Sequence, residues 1–459
     1  MKGFVKKGFA FALAGVMGIS LLAGCGGGKE ENGVTTVTVW TNSTHTKDLM
    51  TQLVADFNEG TGKEQGIKID YVVQGGDYQK VLDVSTQAGE LPDLYYPISG
   101  IENLVKQKAL TALEDMPGGA EFIAKYQDKL VDRRNILDGK TYTVPYNLTT
   151  IGLIYNKDMF KKKGLVDENG EAKAPTTWEE VREYAKICTD LNAKEYGIAL
   201  PLKWGGYVSW DLLQPFFSAT GTMGWDPVNT TYNYDKMLPA LEWFAQIKAD
   251  ESYYIGAEGL DNDPARAQFA EGNIAMKLGA SWDCGVLNDQ FPAKCDWGVA
   301  PIPGLGGAPL YKQFCSTDPF LAIASGIPEE KQEKVMTVYK WFHEADVLTA
   351  LYKGGKIIPA DDAIIESVTL DAPQKGWAEF CAFATNSLAL PVSPKIALEG
   401  DTIGDIVMDV WMGEANPAED LKDLNERSAQ ALQKEIDNGK VVLDDYKLDS
   451  MDAYHVVAE

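Results

Sequence analysis

The chain of 459 residues has little histidine, a deficit of basic side chains, and no apolar run long enough to cross a bilayer. Its three histidines, His45, His343 and His455, stand far apart, which argues against a histidine-built metal site. No Cys-x-x-Cys pair occurs, so zinc knuckles and thioredoxin-type centres are not expected. Only 42 Lys and Arg face 67 Asp and Glu, a formal net charge of −25. Nucleic acid is a poor partner for such a chain, because binding it requires a basic footprint that releases counterions. The phosphate-cradling GxxxxGK[ST], the zinc-protease HExxH and the nucleophile elbow GxSxG are all missing. Asp261-Asn262-Asp263 opens like a calcium loop, but Pro264 breaks the continuation and a helix start is the better reading. Gly304 to Pro309 reads as a surface loop.

What is there begins with a core. Hydrophobic residues make up 45%, and the length suits two or three domains of roughly 100–200 residues. The first segment sets an address. Lys2, Lys6 and Lys7 precede an apolar run from about Phe9 to Leu22, shorter than the ~20 residues of a membrane span and suited to a signal peptide. Leu22-Ala23-Gly24-Cys25 resembles a bacterial lipobox, in which the cysteine is lipidated, so residues 1–24 are expected to be removed and Cys25 to carry lipid. Residues 25–34 hold almost nothing apolar and read as a flexible tether. The expected product is an acidic globule held at the outer face of a membrane. Five further cysteines remain, Cys188, Cys284, Cys295, Cys315 and Cys381. The odd count leaves at least one unpaired; most read as small buried apolar residues, and a Cys284–Cys295 disulfide stays open.

Beyond the tether, strand and helix alternate. Val37–Trp40, Ile67–Val73 and Asp93–Tyr96 predict strands, separated by helical stripes at Leu49–Phe57 and Tyr78–Ser85. This order implies a parallel sheet with right-handed crossovers. Asp138-Gly139 reads as a hairpin turn. After Pro145 the pattern restarts, with strands at Ile151–Tyr155, Ile274–Leu278, Trp297–Pro301 and Phe320–Ala324. Thr177-Trp178-Glu179-Glu180 reads as a capping box, and Asn416-Pro417 opens a late helix. The coarse result is two α/β units and a helical tail.

Aromatic residues stand out where strands end: among 11 Trp and 20 Tyr, Trp40, Tyr95, Tyr96, Tyr146, Trp204, Tyr207, Trp210, Trp225 and Trp282 fall at such places. A ring covers the C–H face of a sugar, while Asp, Asn and Thr bind its hydroxyl rim. Open α/β sheets hold ligands at the carboxyl ends of their strands.

Several stretches together resemble a known family. They include Gly89-Glu90-Leu91-Pro92-Asp93, Asp138-Gly139-Lys140-Thr141-Tyr142-Thr143-Val144-Pro145, Gly152-Leu153-Ile154-Tyr155-Asn156-Lys157-Asp158-Met159-Phe160, Phe269-Ala270-Glu271-Gly272-Asn273-Ile274-Ala275-Met276 and Gly279-Ala280-Ser281-Trp282. In this order, over about residues 35–436, the chain is similar to the extracellular solute-binding lipoproteins of bacterial ABC importers, the family typified by maltose-binding protein. The resemblance implies a two-lobe α/β fold of the periplasmic-binding-protein type, each lobe a mostly parallel sheet flanked by helices, joined by hinge strands and followed by a helical C-terminal part. It places lobe 1 at 35–145 and 300–344, and lobe 2 at 146–299 and 345–459, with crossings near Thr143–Leu148, Val299–Pro301 and Phe342–Leu348. Residues 437–459 run past the usual family end.

By resemblance, Asn42 and His45 fall in a ligand loop after the first strand, Tyr96 after the third, and Tyr146 and Thr149 at the first crossing. Trp204 and Tyr207 match an aromatic segment of the second lobe, Trp282 matches a stacking tryptophan, and Asp283 follows it. Trp411 is poorly placed to serve as a late stacking aromatic. The implied activity is carbohydrate binding between the lobes and delivery to a membrane permease, with no cofactor, by a monomer. A receptor of the same fold for a polyamine, phosphoester or peptide, and a glycoside-processing enzyme, are the alternatives. A carboxylate pair for the latter cannot be picked from spacing alone.

Overall fold

The computed structural model describes residues 33–456 apart from 76, 128, 205 and 372, and excludes the side chains of 210, 211 and 385. The expected signal peptide, Cys25, most of the tether and the Trp210 side chain therefore lie outside the described residues. The chain builds two sheets. The first has five strands in the order Ile67–Val73, Thr35–Thr41, Leu94–Tyr95, Ala322–Ala324, Leu110–Thr111. Its first three strands are parallel, and Ala322–Ala324 returns antiparallel to both neighbours. Val37 and Val39 point from the central strand onto Met50, Val54 and Phe57 of helix Lys47–Glu59, all within one apolar cluster. Helix Tyr78–Ala88 stops at Gly89, whose φ of +70° suits a residue without Cβ. The Asp138-Gly139 hairpin forms as expected, with φ of +52° and +72°.

The second sheet is organised by one strand, Asn147–Asn156, whose residues from Thr149 onward are all buried. A strand covered on both faces reads as a continuous apolar run rather than an alternation. Its second half lies between Ile274–Ala280 and Trp297–Ala300, and its first half between Gln313–Asp318 and Ile358–Pro359, all four antiparallel to it. Tyr196–Ala199 and Ser387–Leu388 add parallel edges.

This sheet corrects the expected crossings. The second lies between Asp318 and Ala322, since Gln313–Asp318 still pairs with Asn147–Thr150, and not near Val299–Pro301. Residues 313–318, assigned above to lobe 1, thus belong to the second sheet. The third lies between Lys353 and Ile358, not near Phe342–Leu348, because helix Ala345–Lys353 still packs on helices Lys47–Glu59 and Glu329–Phe342. Backbone bonds lock the three segments together: Tyr146 N–H donates to Asp318 O at 3.0 Å, and Ala360 N–H to Tyr146 O at 2.9 Å.

Two local expectations also change. The Thr177 hydroxyl accepts from Glu180 N–H, but the Glu180 carboxylate turns to the backbone and hydroxyl of Thr176, so the capping box is half made. Cys284 and Cys295 are both free, as are the other three described cysteines. Cys284 is packed in the core, and Cys295 donates instead to Phe269 O.

After helix Pro417–Asp437 the chain turns back on the body. Val441 and Tyr446 join Trp225 and Leu432 in a small apolar cluster. The Trp225 indole N–H donates to Tyr446 O at 3.3 Å, and Leu448 N–H to Pro227 O at 3.0 Å. From the first lobe, Arg133 places its guanidinium 4.6 Å from the centre of the Tyr446 ring and pairs with Asp445 at 3.1 Å. The same Arg133 meets Glu102, which also pairs with Lys395 of the second lobe.

Candidate functional site

Both sheets aim loops at one cavity of about 220 Å³. From the first lobe come Asn42, His45 and Tyr96; from the hinge Tyr146, Thr149 and Asp318; from the second lobe Ser281 and Trp282. Each group follows from local structure. Asn42 and His45 lie in the turn that ends strand Thr35–Thr41, where Thr44 N–H donates to Asn42 O. Tyr96 is tied to the same strand through its N–H to Trp40 O at 3.0 Å. Ser281 and Trp282 follow strand Ile274–Ala280, and Ser281 N–H donates to Thr150 O at 2.9 Å. The half-buried Trp282 indole is the broad apolar surface, and amide, hydroxyl and carboxylate groups make the polar rim.

At the hinge a polar chain runs from Asn147 Nδ2 to Thr149 Oγ1 at 3.2 Å, and from that hydroxyl to Asp318 Oδ2 at 3.0 Å. Ser316 donates to the other Asp318 oxygen. Burial pushes the Asp318 carboxyl up from its ordinary range, and these hydrogen bonds only partly offset that. Among the described residues Asp318 is the one carboxylate lining the cavity. Tyr146 stacks on Phe320 with ring centres 4.7 Å apart and meets His343 edge-on at 5.2 Å. Lys356 also lines the cavity, but its ammonium is paired with Asp289 at 3.0 Å. Among the described residues no cluster of three His, Cys, Asp or Glu could hold a metal ion.

Three expected ligand residues lie elsewhere. Tyr207 is fully buried in the second lobe's core, with its hydroxyl donating to Ala199 O at 3.4 Å. Trp204 packs against the same core and does not line the cavity. Asp283 is 1% exposed and points away beneath Trp282. It accepts from Arg266 Nε at 2.6 Å, Lys277 Nζ at 2.8 Å and Ala280 N–H at 3.2 Å. Burial alone raises its carboxyl, yet the charges and hydrogen bonds of Arg266 and Lys277 outweigh it and hold the group below the usual range. It fixes the turn that carries Trp282 rather than touching the cavity. Trp411 is buried, with its indole N–H directed at Glu258. Conversely, Asn147, Ser281, Asp318 and Lys356 were missed; Asn147 sits within the matched crossing, while Asp318 and Lys356 come from later crossings with no aromatic or motif signal.

Burial, reinforced by Lys356 and Arg266, pushes the His45 imidazole down to about 4. Burial does the same to His343, also to about 4, although its Nδ1 lies 2.8 Å from Tyr339 O. Both are lower folded than unfolded, so the neutral form is favoured in the native state. Their stabilisation is complete above the unfolded value near 6.5 and is lost as pH falls toward 4. Stability is expected to drop across that window by up to about 1.4 kcal/mol per pH unit for each histidine. Urea titrations at stepped pH check this, and His343→Phe should remove one histidine's share of the slope.

Two lobes, a hinge of three chain segments and a cavity between them are an architecture that known proteins share. The family model for bacterial extracellular solute-binding proteins matches residues 27–346. The chain belongs to that family. Among relatives, this solute-binding protein is 27% identical over 328 residues to the maltodextrin-binding protein of Bacillus subtilis, covering 68% of this chain and 70% of that one. It is 23% identical over 341 residues to the sn-glycerol-3-phosphate-binding periplasmic protein of Brucella melitensis, covering 70% and 73%. Its fold matches an ABC transporter solute-binding protein from Thermotoga lettingae bound to α-D-tagatose, with TM-score 0.67 and 20% identity over 86% of this chain and 99% of that one. It also matches the maltose/maltodextrin-binding domain from Bdellovibrio bacteriovorus bound to maltotriose, with TM-score 0.66 and 16% identity over 87% and 100%. The protein is a solute-binding component of an ABC importer.

Proposed function

We propose that the solute is a neutral carbohydrate of one or two rings, held in the cavity between the lobes and handed to permease subunits in the membrane. The observation that carries this reading is Trp282, a flat apolar face opposite a rim of Asn42, Tyr96, Thr149 and Asp318 drawn from the other lobe and the hinge. A ring-sized sugar needs that pairing of one apolar face with many hydroxyl partners. The volume, about 220 Å³, is below the ~300–1,000 Å³ of sites for drug-sized ligands and suits a short saccharide. Ligand that touches both lobes only when they are closed shifts the population toward closure by its differential affinity. Lipid on Cys25 would keep the monomeric receptor beside its permease, with residues 25–34 as tether.

A phosphoester is the second reading, favoured by Lys356 in the lining and by a glycerol-phosphate-binding relative. Lys356 is already neutralised by Asp289, and Asp318 would repel an anion, so the neutral sugar is preferred. A thermal-shift panel of mono- and disaccharides with sn-glycerol 3-phosphate tests the choice. Ligand at 100 times its Kd stabilises the native state by about 2.7 kcal/mol, so a sugar that binds raises the melting temperature. A rise with glycerol phosphate and none with any sugar would overturn the carbohydrate reading.

A further inference from the structure

A second cavity, of about 450 Å³, lies between the lobes and shares no residue with the first. Its wall on the second lobe is aromatic: Phe217, Trp225, Tyr232 and Tyr234. Tyr232 and Tyr234 are within 4° of parallel with centres 5.8 Å apart, and Trp225 meets Tyr232 edge-on at 5.2 Å. The polar atoms of two of these rings are already spent on backbone: Trp225 on Tyr446 O, and Tyr232 on Pro394 O at 2.7 Å. What they offer the cavity is ring surface.

The rest of the lining is charged. Arg133 and Arg134 of the first lobe and Lys395 of the second line the cavity against a single carboxylate, Glu102, in a chain whose overall charge is −25. Glu102 is consumed by Arg133 and Lys395, and Arg133 is further held by Asp132 and Asp445. Arg134 is different. It is half-buried, and among the described residues no hydrogen bond or ion pair engages its guanidinium; Asp318 attracts it only through space. On the opposite wall Gln214 has its Oε1 buried with no donor. A desolvated fork of N–H donors and an orphaned acceptor in one cavity are costly unless something bridges them.

We propose that this cavity is a second binding site, for a carboxylated sugar of the hexuronate class. The planar guanidinium of Arg134 takes the carboxylate through two parallel N–H···O bonds. A ring hydroxyl donates to Gln214 Oε1, and the Trp225–Tyr232 wall covers the sugar's apolar face. A phosphomonoester, with three acceptor oxygens and a charge near −2, would leave oxygens unpaired against one free guanidinium. The proposal does not depend on which solute occupies the Trp282 cavity.

The test is calorimetric titration of the full chain with D-galacturonate and D-glucuronate, with D-galactose and D-glucose as neutral controls. Three proteins are compared: wild type, Arg134→Gln and Trp282→Ala. The expected result is saturable uronate binding that weakens tenfold or more in Arg134→Gln and persists in Trp282→Ala, while neutral sugars do not depend on Arg134. Gln214→Leu, which removes an orphaned polar atom, is expected to weaken uronate binding without lowering the melting temperature, and serves if Arg134→Gln folds poorly. The proposal is overturned if no uronate binds, if Arg134→Gln and Gln214→Leu bind it as wild type does, or if Trp282→Ala abolishes it. Tighter Arg134-dependent binding of sn-glycerol 3-phosphate than of either uronate would overturn the ligand class.

Discussion

Trp282→Ala is expected to weaken the affinity for the proposed sugar by about thirtyfold. The indole is the largest apolar surface that the second lobe brings to the cavity, and its position is set by strand Ile274–Ala280 and the Ser281 N–H bond to Thr150 O. Truncating a central aromatic anchor costs about 2 kcal/mol or more, and each 1.4 kcal/mol is a factor of ten. Trp282→Phe keeps an aromatic face and should recover most of the loss. Calorimetric titration with the best sugar from the thermal panel reads the effect, and the melting temperature of the unliganded variants separates lost contact from lost fold. An affinity unchanged in Trp282→Ala would mean that the sugar is gripped elsewhere.

The second large effect is on stability. Asp283→Ala is expected to destabilise the protein by about 3–5 kcal/mol, because it leaves Lys277 uncompensated in the interior and strips Arg266 of its buried partner. Lys277 is 1% exposed and, among the described residues, pairs with no other carboxylate, its further hydrogen bond going to Leu278 O at 2.9 Å. Arg266 still reaches Asp263 at 2.8 Å. Lys277→Met combined with Asp283→Ala should therefore lose less than Asp283→Ala alone, a non-additivity expected of groups in one network. The pH dependence has a definite sign. The folded Asp283 carboxyl is held below its unfolded value, so its contribution is present above about pH 4 and lost as pH falls through the folded value. The gap between wild type and Asp283→Ala should narrow in acid, as urea titrations at neutral pH and near pH 3.5 would show. A gap that widened there would rule out the ionised triad.

Much of the scaffold was legible because its strands are apolar and its punctuation is strong. Ile67–Asp70 alternates buried apolar and exposed charged residues, Gly89 stops its helix, and Asp138-Gly139 makes its hairpin. The hinge was harder to read for a physical reason. Gln313–Asp318 is Gln-Phe-Cys-Ser-Thr-Asp, mostly polar, and Ile358–Pro359 is two residues long. Such segments become strands only because Asn147–Thr150 offers them backbone partners, which is information held by the fold and not by local periodicity. The site divides the same way. Asn42, His45, Tyr96, Tyr146, Thr149 and Trp282 converge on one cavity, because each sits at a strand end or a crossing. Asp283 does not, because one sequence step past Trp282 turns its side chain to the core behind the cavity, and Tyr207 is drawn into the second lobe's core. Asp318 carries no motif at all, and only the pairing of its strand brings it to Thr149.

The C-terminal segment beyond helix Pro417–Asp437 has a consequence for traffic through the importer. A swing that parts the lobes on this side must peel Arg133 from Asp445 and from the Tyr446 ring, and must part Glu102 from Lys395. None of these residues lines the solute cavity, so the contacts weigh on the balance between open and shut forms independently of the solute's own grip. Raising the competent fraction strengthens apparent affinity in direct proportion. The other side of that bias is a less distinct difference between loaded and vacant receptors at the permease. A tail that favours the shut form would exchange discrimination at the permease for capture of dilute nutrient.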